Sequence, residues 1–383
     1  MIIGILKEPS FESRVSMLGG EVAALVKTGF TVWVEKDAGL KAFCIDDDYI
    51  GNSAVIKSRG QIFEGADVLL GIHAADDLVS AVNKVFIGVY QPLYHPEQID
   101  AWTRQGDTVF SLDMLPRTTK AQSMDVLSSQ SSIAGYKAAL MAACSYSRYF
   151  PMMMTAAGSI APAKVLIIGA GVAGLQAVAT CRRLGAVVEV FDTRAAAKEE
   201  VLSLGAKFVE VEGAADASKA GGYAVDQTLD FQQRQKQKIA DSIKKADIVI
   251  TTAQIFGKKA PVLITKDMIG SMRAGSVIID LAASTGGNTE ITKDGEHVFY
   301  NNITIIGDSN LASSMPSDAS KSYGRNMLNF LKMLVNKDGE LEMNFTDDII
   351  SSTCITNNGE IISPIIKKNL VHGNVTQLHS EQP

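Results

Sequence analysis

Lys164-Val165-Leu166-Ile167-Ile168-Gly169-Ala170-Gly171-Val172-Ala173-Gly174 is the stretch whose reading decides the fold of this chain. Its first half is a short apolar run of the kind that forms a strand buried on both faces. Its second half is G-x-G-x-x-G. Apolar Leu175, Val178 and Ala179 follow at helical spacing, then the basic pair Arg182-Arg183 and the stop signal Gly185. This predicts a helix over Leu175–Leu184. A second apolar run, Val187–Phe191, ends on Asp192, 18 residues beyond Gly174.

Strand, glycine turn, helix and strand-end acid together suit a dinucleotide. Gly169 permits the tight turn, Gly171 lets a pyrophosphate approach the backbone, and Gly174 lets helix and strand pack closely. The unpaired N–H groups and the dipole at the helix start favour phosphate charge. The same glycines also suit a β–α turn that binds nothing, so the motif draws its weight from its surroundings. Asp192 favours NAD(H), because a carboxylate accepts ribose hydroxyls and repels a 2′-phosphate. Arg194 points the other way, since an arginine here can accept that phosphate. Asp192 carries more weight because it stands at the strand end itself.

Composition narrows the remaining possibilities. The chain has 383 residues, 46% hydrophobic and 20% charged, with a net charge of −6. That length suggests two domains with substantial cores. The absence of a large basic tract argues against nucleic acid as a partner. Cys44, Cys144, Cys181 and Cys354 are scattered, as expected for reduced thiols and not for a disulfide frame or zinc site. The five histidines form no metal-ligand pattern either. No apolar run reaches the roughly 18–20 residues that span a bilayer. The opening Met1–Leu6 reads as a first strand and not as a signal peptide. The chain itself is therefore expected to be soluble, with any membrane attachment made through a partner.

Two α/β series follow one another. Strands are expected at Ile2–Leu6, Thr31–Glu35, Val68–Ile72, Val85–Val89 and Val109–Leu112, then at Val165–Ile168, Val187–Phe191, Phe208–Val211, Ile248–Thr252, Val277–Asp280 and Ile303–Ile306. The expected fold class is α/β: two doubly wound, Rossmann-like parallel-sheet domains with a cleft between them. Thr118–Phe150 reads as one or two joining helices. Tyr323–Val335 reads as an amphipathic helix that returns the chain to the first domain. The expected division is residues 1–127 plus 318–383 for the first domain and 128–317 for the nucleotide domain. Met152–Met154 reads as packing at the domain junction, and the terminal segment 371–383 as frayed. Nearly twenty residues separate the strand ending near Val211 from a helix near Asp230. A loop so much longer than the usual ~2–6 residues is often a lid. It is expected to be mobile over about 212–229, with Tyr223 beside Gly221 and Gly222 as an aromatic tip.

Four further stretches are more specific than the glycine fingerprint. They are Leu115–Gln130 (LPRTTKAQSMDVLSSQ), Phe150–Gly158 (FPMMMTAAG), Ala220–Ala224 (AGGYA) and Gly275–Ala282 (GSVIIDLA). With Lys7-Glu8, Arg14-Val15 and Asn329-Phe330-Leu331, they resemble the NAD(H)-binding component of proton-translocating nicotinamide nucleotide transhydrogenase, within the alanine dehydrogenase/transhydrogenase family. The resemblance covers nearly the whole chain. It implies hydride transfer between NADH and NADP⁺, coupled to proton movement by a membrane partner. NADP(H) would sit on a separate component, and the NAD(H) component would be a homodimer. The chain would then be cytoplasmic and peripheral on the inner membrane through its partners.

By residue-for-residue match, Arg117, Gln122, Asp125 and Ser128 fall near the nicotinamide, with Gln122 helping to place the ring. Tyr223, beside Gly222, matches the tyrosine of the mobile loop. Gly169, Gly171, Val172, Gly174 and Asp192 match the nucleotide fingerprint, and Thr252 and Ala253 the strand end beside adenine and ribose. Positioning groups are what this chemistry requires. Hydride transfer between two nicotinamides needs two C4 atoms held at ~3–3.5 Å with water excluded, and no acid or base. The sequence departs from the family at Gln254-Ile255-Phe256-Gly257-Lys258 and over Leu70–His95.

Two rival functions stay open at this stage. Alanine dehydrogenase shares the Lys7-Glu8, Arg14-Val15 and fingerprint motifs, but its chemistry needs a lysine and a histidine in the cleft. The lysine position falls near Gly71, and no lysine lies between Arg59 and Lys84. The histidine position falls in Val89-Tyr90-Gln91-Pro92, with His73 and His95 nearby. Arg14 would then be a relic of a carboxylate-binding cleft. The other rival is a non-catalytic NAD(H)-binding regulatory subunit, against which the intact Arg117, Gln122, Asp125 and Ser128 set argues.

Overall fold

The computed structural model describes residues 1–74, 83–211, 229–336 and 339–369. The chain divides into two compact units, residues 1–130 with 313–383 and residues 131–312.

The second unit is built on a seven-stranded sheet among the described residues. Its strands lie in the order Lys207–Phe208, Val187–Phe191, Lys164–Ile168, Ile248–Thr251, Val277–Asp280, Ile303–Gly307 and Glu296–Tyr300. The first six are parallel and the last is antiparallel. Numbered along the chain, the parallel strands run 3-2-1-4-5-6, the doubly wound order. Alternation along Lys164–Ile168 covers both faces. Val165 and Ile167 pack with Ala177, Val178 and Cys181, whereas Leu166 and Ile168 pack with Ile239, Ile243 and Met268. Burial on both faces explains why these strands read as unbroken apolar runs.

The first unit repeats the scheme. Its eight described strands lie in the order Glu360–Ile361, Cys354–Asn357, Thr108–Ser111, Val85–Gly88, Val68–Leu70, Ile2–Ile5, Thr31–Glu35 and Val55–Lys57. Six are parallel, again in the order 3-2-1-4-5-6; of the two from the C-terminal segment, Cys354–Asn357 pairs antiparallel with Thr108–Ser111 and Glu360–Ile361 pairs antiparallel with Cys354–Asn357. The helix Pro316–Leu331 supplies Tyr323, Met327 and Phe330 to this unit's core.

Several bounds differ from expectation. The fingerprint helix is Val172–Arg183 and begins three residues early, because Gly171 caps it in an extended conformation. The helix expected over Tyr323–Val335 is Pro316–Leu331. Proline at the first helical position has its φ already set and lacks only an N–H that would go unpaired. Thr118–Phe150 holds a 3₁₀ turn, Thr119–Met124, and one α-helix, Val126–Ser145. Met152, Met153 and Met154 are exposed and not packed as expected, with Met153 and Met154 on a two-stranded hairpin, Met153–Thr155 with Gly158–Ile160. Among the described residues, no helix is long and apolar enough to cross a membrane.

Candidate functional site

The crevice of a doubly wound sheet opens at the carboxyl ends of strands 1 and 4, where the strand order reverses. In the second unit these are the ends of Lys164–Ile168 and Ile248–Thr251, so Gly169 and Thr252 come together there. Gly169 has φ +100°, a conformation that suits glycine, and a Cβ on it would lie 2.5 Å from Thr252 Oγ1. A Cβ on Gly174 would overlap the Gly169 carbonyl oxygen, so the helix crosses the strand end at backbone contact. Gly171 is different: a Cβ there would meet nothing within 4 Å, and its φ of −76° is open to any residue. The sheet does not require glycine at 171, and the open space lies at the positive end of a twelve-residue helix. That arrangement fits a phosphate group. Val172, the first helical residue, is 44% exposed and faces outward beside it.

Asp192 stands at the end of Val187–Phe191 and is already engaged. Its Oδ2 accepts from Ala170 N–H at 2.7 Å and from Arg194 Nη2 at 2.8 Å. Its Oδ1 accepts from Arg194 N–H at 2.8 Å and Arg194 Nε at 2.9 Å. Arg194 therefore lies on Asp192 as a bidentate ion pair, and the carboxylate hydrogen bond raises the pKa of the guanidinium.

Thr252 Oγ1 donates to the Gly169 carbonyl at 3.1 Å, tying strand 4 to the glycine turn. Ala253 is held by Asn288, a fully buried residue that no sequence motif marks. Asn288 Nδ2 donates to the Ala253 and Pro261 carbonyls, and its Oδ1 accepts from Ala253 N–H. Asp280 in turn accepts from Asn288 N–H at 2.7 Å. In the divergent segment that follows, Gln254 Nε2 donates to the Leu281 carbonyl at 3.3 Å. The loop expected over about 212–229, with Gly222 and Tyr223, lies outside the described residues except for Leu229, which opens the helix Leu229–Ile243.

Arg117, Gln122, Asp125 and Ser128 belong to the first unit, whereas the glycine turn belongs to the second. Ala121 and Met124, three apart on the 3₁₀ turn, anchor it in the core, while Gln122 is exposed. Asn326 and Asn329 donate to the Ser123 carbonyl at 2.8 and 3.1 Å and fix the turn to the helix Pro316–Leu331. The turn thus presents the Gln122 carboxamide, which makes no hydrogen bond to a described residue. Arg117 is also exposed. Asp125 and Ser128 form a helix cap: Asp125 accepts from Ser128 N–H at 2.9 Å and Ser128 Oγ at 2.5 Å.

The first unit's strand ends gather Glu8, Glu12, Arg14 and His73. Glu12 accepts from Arg14 at 2.6 and 2.9 Å and lies 2.8 Å from His73 Nε2. Burial opposes ionisation of Glu12, but these bonds outweigh it and hold the carboxyl below its usual range. Glu8 accepts from Ile72 and His73 N–H at 2.6 and 3.1 Å, yet burial pushes it up to about 7. Arg14 is paired with Glu12 and bonded to Gln130. His95 is exposed and paired with Glu97. Gly71, near which the lysine position is expected, offers no ammonium group. Among the described residues no group of three or more His, Cys, Asp or Glu is arranged to hold a metal ion.

Two family models match the chain: "Alanine dehydrogenase/PNT, N-terminal domain" over residues 4–134 and "Alanine dehydrogenase/PNT, C-terminal domain" over residues 138–364. The first segment of NAD(P) transhydrogenase subunit alpha from Rickettsia prowazekii is 41% identical over 96% of this chain and 97% of its own length. The crystal structure of transhydrogenase from Sinorhizobium meliloti superposes with a TM-score of 0.86 at 40% identity, covering 94% of this chain and all of that one. An L-alanine dehydrogenase structure gives a TM-score of 0.82 at 20% identity over 97% of this chain and 99% of its own, a likeness of fold alone.

Proposed function

The chain belongs to the alanine dehydrogenase/PNT family, and on that premise we propose that it is the NAD(H)-binding component of a proton-translocating NAD(P) transhydrogenase. The observation that carries the cofactor reading is the open helix start at Gly171, set at the switch point of a 3-2-1-4-5-6 sheet beside a strand-end acid. Bound NAD(H) would supply a hydride-carrying nicotinamide. The chain's own residues bind and orient. Gly169, Gly171, Val172 and Gly174 receive the pyrophosphate, Asp192 receives the adenosine ribose, and Thr252 and Ala253 line the adenine side. Arg117, Gln122, Asp125 and Ser128 pose the nicotinamide end. None of these needs to move a proton, because two nicotinamides exchange only a hydride.

NADP(H) sits on a partner component, and a membrane partner carries the protons, so the chain is cytoplasmic and peripheral. It acts as a homodimer, for which the exposed Met153 and Met154 on the hairpin offer an apolar surface. Amino-acid oxidation is not favoured. The lysine position falls near Gly71, with no lysine between Arg59 and Lys84, and His73 is engaged by Glu12. A purely regulatory role would leave the presented Gln122 without a task.

The test is hydride transfer from NADPH to an NAD⁺ analogue, with this chain mixed with a purified NADP(H)-binding component of a transhydrogenase. Transfer in the mixture and none with the chain alone supports the function. Nucleotide binding without transfer removes it, and alanine becomes the next substrate to try.

A further inference from the structure

A carboxylate offers four in-plane lone-pair positions, two on each oxygen. All four on Asp192 are filled: two by the N–H groups of Ala170 and Arg194, two by Nε and Nη2 of the Arg194 guanidinium. The side chain of Asp192 is 7% exposed and that of Arg194 23%. The two backbone donors belong to the glycine turn and the strand end and cannot leave without unmaking them. The guanidinium stands on rotatable bonds and can.

We propose that Arg194 is the residue that sets nucleotide specificity, acting as a displaceable counter-ion over the ribose-binding carboxylate. The proposal rests on the dinucleotide reading above and deepens it. A ribose hydroxyl donates to Asp192 only where a guanidinium N–H gives way, so binding the adenosine end of NAD(H) is an exchange and not a simple addition. The same pair is close to neutral, which blunts the repulsion a bare carboxylate would exert on a 2′-phosphate. Once displaced, the guanidinium is a cation beside that position and can answer the phosphate directly. Asp192 alone would choose strongly for NAD(H); Asp192 under Arg194 chooses less strongly and binds NAD(H) less tightly.

Removal of the guanidinium therefore moves the two nucleotides in opposite directions. The backbone donors still hold Asp192 in Arg194→Ala, so the acceptor stays in place and is uncovered. NADH binding to the full chain, followed by equilibrium dialysis, should tighten by about tenfold, the scale of one charge-assisted hydrogen bond. NADPH binding should weaken by a similar factor. In an Asp192→Asn background, Arg194→Ala should no longer tighten NADH. Arg194→Lys, which keeps the charge but loses the fork, should show a smaller tightening of NADH and serves as a second variant should the alanine form fail to fold. Weaker NADH binding in Arg194→Ala, or a shift of both nucleotides in one direction, would mean that Arg194 holds ribose or structure, and the proposal fails while the dinucleotide reading stands. A wild-type chain that binds neither nucleotide removes both.

Discussion

The Asn288 carboxamide grips the Ala253 residue at both of its backbone groups, accepting from its N–H at 3.0 Å and donating to its carbonyl at 2.8 Å. The two residues are 35 apart in sequence, and the grip sets the path of the chain just beyond strand 4 of the second unit. Asn288→Ala removes three hydrogen bonds and leaves half-buried backbone groups unpaired. It should lower stability by roughly 2–4 kcal/mol and weaken NADH binding with it. Denaturant unfolding and an NADH titration check this; unchanged affinity in a destabilised chain would separate Ala253 from the nucleotide.

The fingerprint glycines divide into two kinds. Gly174→Ala drives a Cβ into the Gly169 carbonyl and should destabilise by roughly 1–3 kcal/mol while abolishing NADH binding. Gly171→Ala meets open space and should change stability by no more than about 1 kcal/mol, the scale of a cap substitution. It should nevertheless weaken NADH by at least about tenfold, because in the proposed site the pyrophosphate would approach that backbone. Wild-type affinity in Gly171→Ala would withdraw the pyrophosphate from this turn.

Gln122 and Asp125 test presentation against scaffolding. Gln122→Asn shortens an exposed side chain that bonds to no described residue, so stability should stay within about 0.5 kcal/mol of wild type and NADH binding near normal. Hydride transfer to the proposed NADP(H) component should fall at least about tenfold, since the ring placement proposed for Gln122 would be lost. Asp125→Ala removes the helix cap and should lower stability by about 1 kcal/mol, whereas Asp125→Asn, which keeps a capping oxygen, should lose only a few tenths. Full transfer activity in Gln122→Asn would refute its assignment.

Glu8 gives stability a pH dependence. Its carboxyl, ordinarily near 4.5, is held up to about 7 by burial in the folded chain. Between these values the folded state binds more protons than the unfolded one, so this group's contribution falls as pH rises from about 4.5 to about 7. Glu12 acts with the opposite sign: its lowered pKa adds stability that is lost as pH falls below about 4.5. Across the upper window Glu8→Gln should gain stability relative to wild type, by roughly 1–3 kcal/mol in total. A constant difference between the two would mean Glu8 is ionised throughout.

What can be read from the sequence is what short-range physics controls. The strand–glycine–helix–strand–acid series is local, and each element of it has a recognisable residue pattern. The central parallel strands declare themselves because burial on both faces leaves them apolar throughout. Val55–Lys57, Glu296–Tyr300, Cys354–Asn357 and Glu360–Ile361 do not, being short or half-exposed strands at or near sheet edges. Apolar periodicity puts the start of the helix Val172–Arg183 at Leu175, because its cap, Gly171, has no side chain to signal the true start. Asn288 escapes a sequence reading because its partners are backbone groups in another segment, and nothing near it in sequence marks a clamp. Arg194 reads from sequence only as a residue able to accept a 2′-phosphate, and it is the structure that puts its guanidinium on Asp192.

The edge of the first unit's sheet has a consequence for how the chain is made. Thr108–Ser111 pairs with Cys354–Asn357, and Thr356 Oγ1 reaches back to the Asp107 carbonyl across 249 positions of sequence. Residues 131–312 emerge from the ribosome in between as a contiguous unit that can fold on its own schedule. The six N-terminal strands must meanwhile wait for the last two, on the order of ten to fifty seconds at ordinary elongation rates. Throughout that interval they carry a bare, apolar strand edge, the kind of surface that chaperones hold and that aggregating chains share.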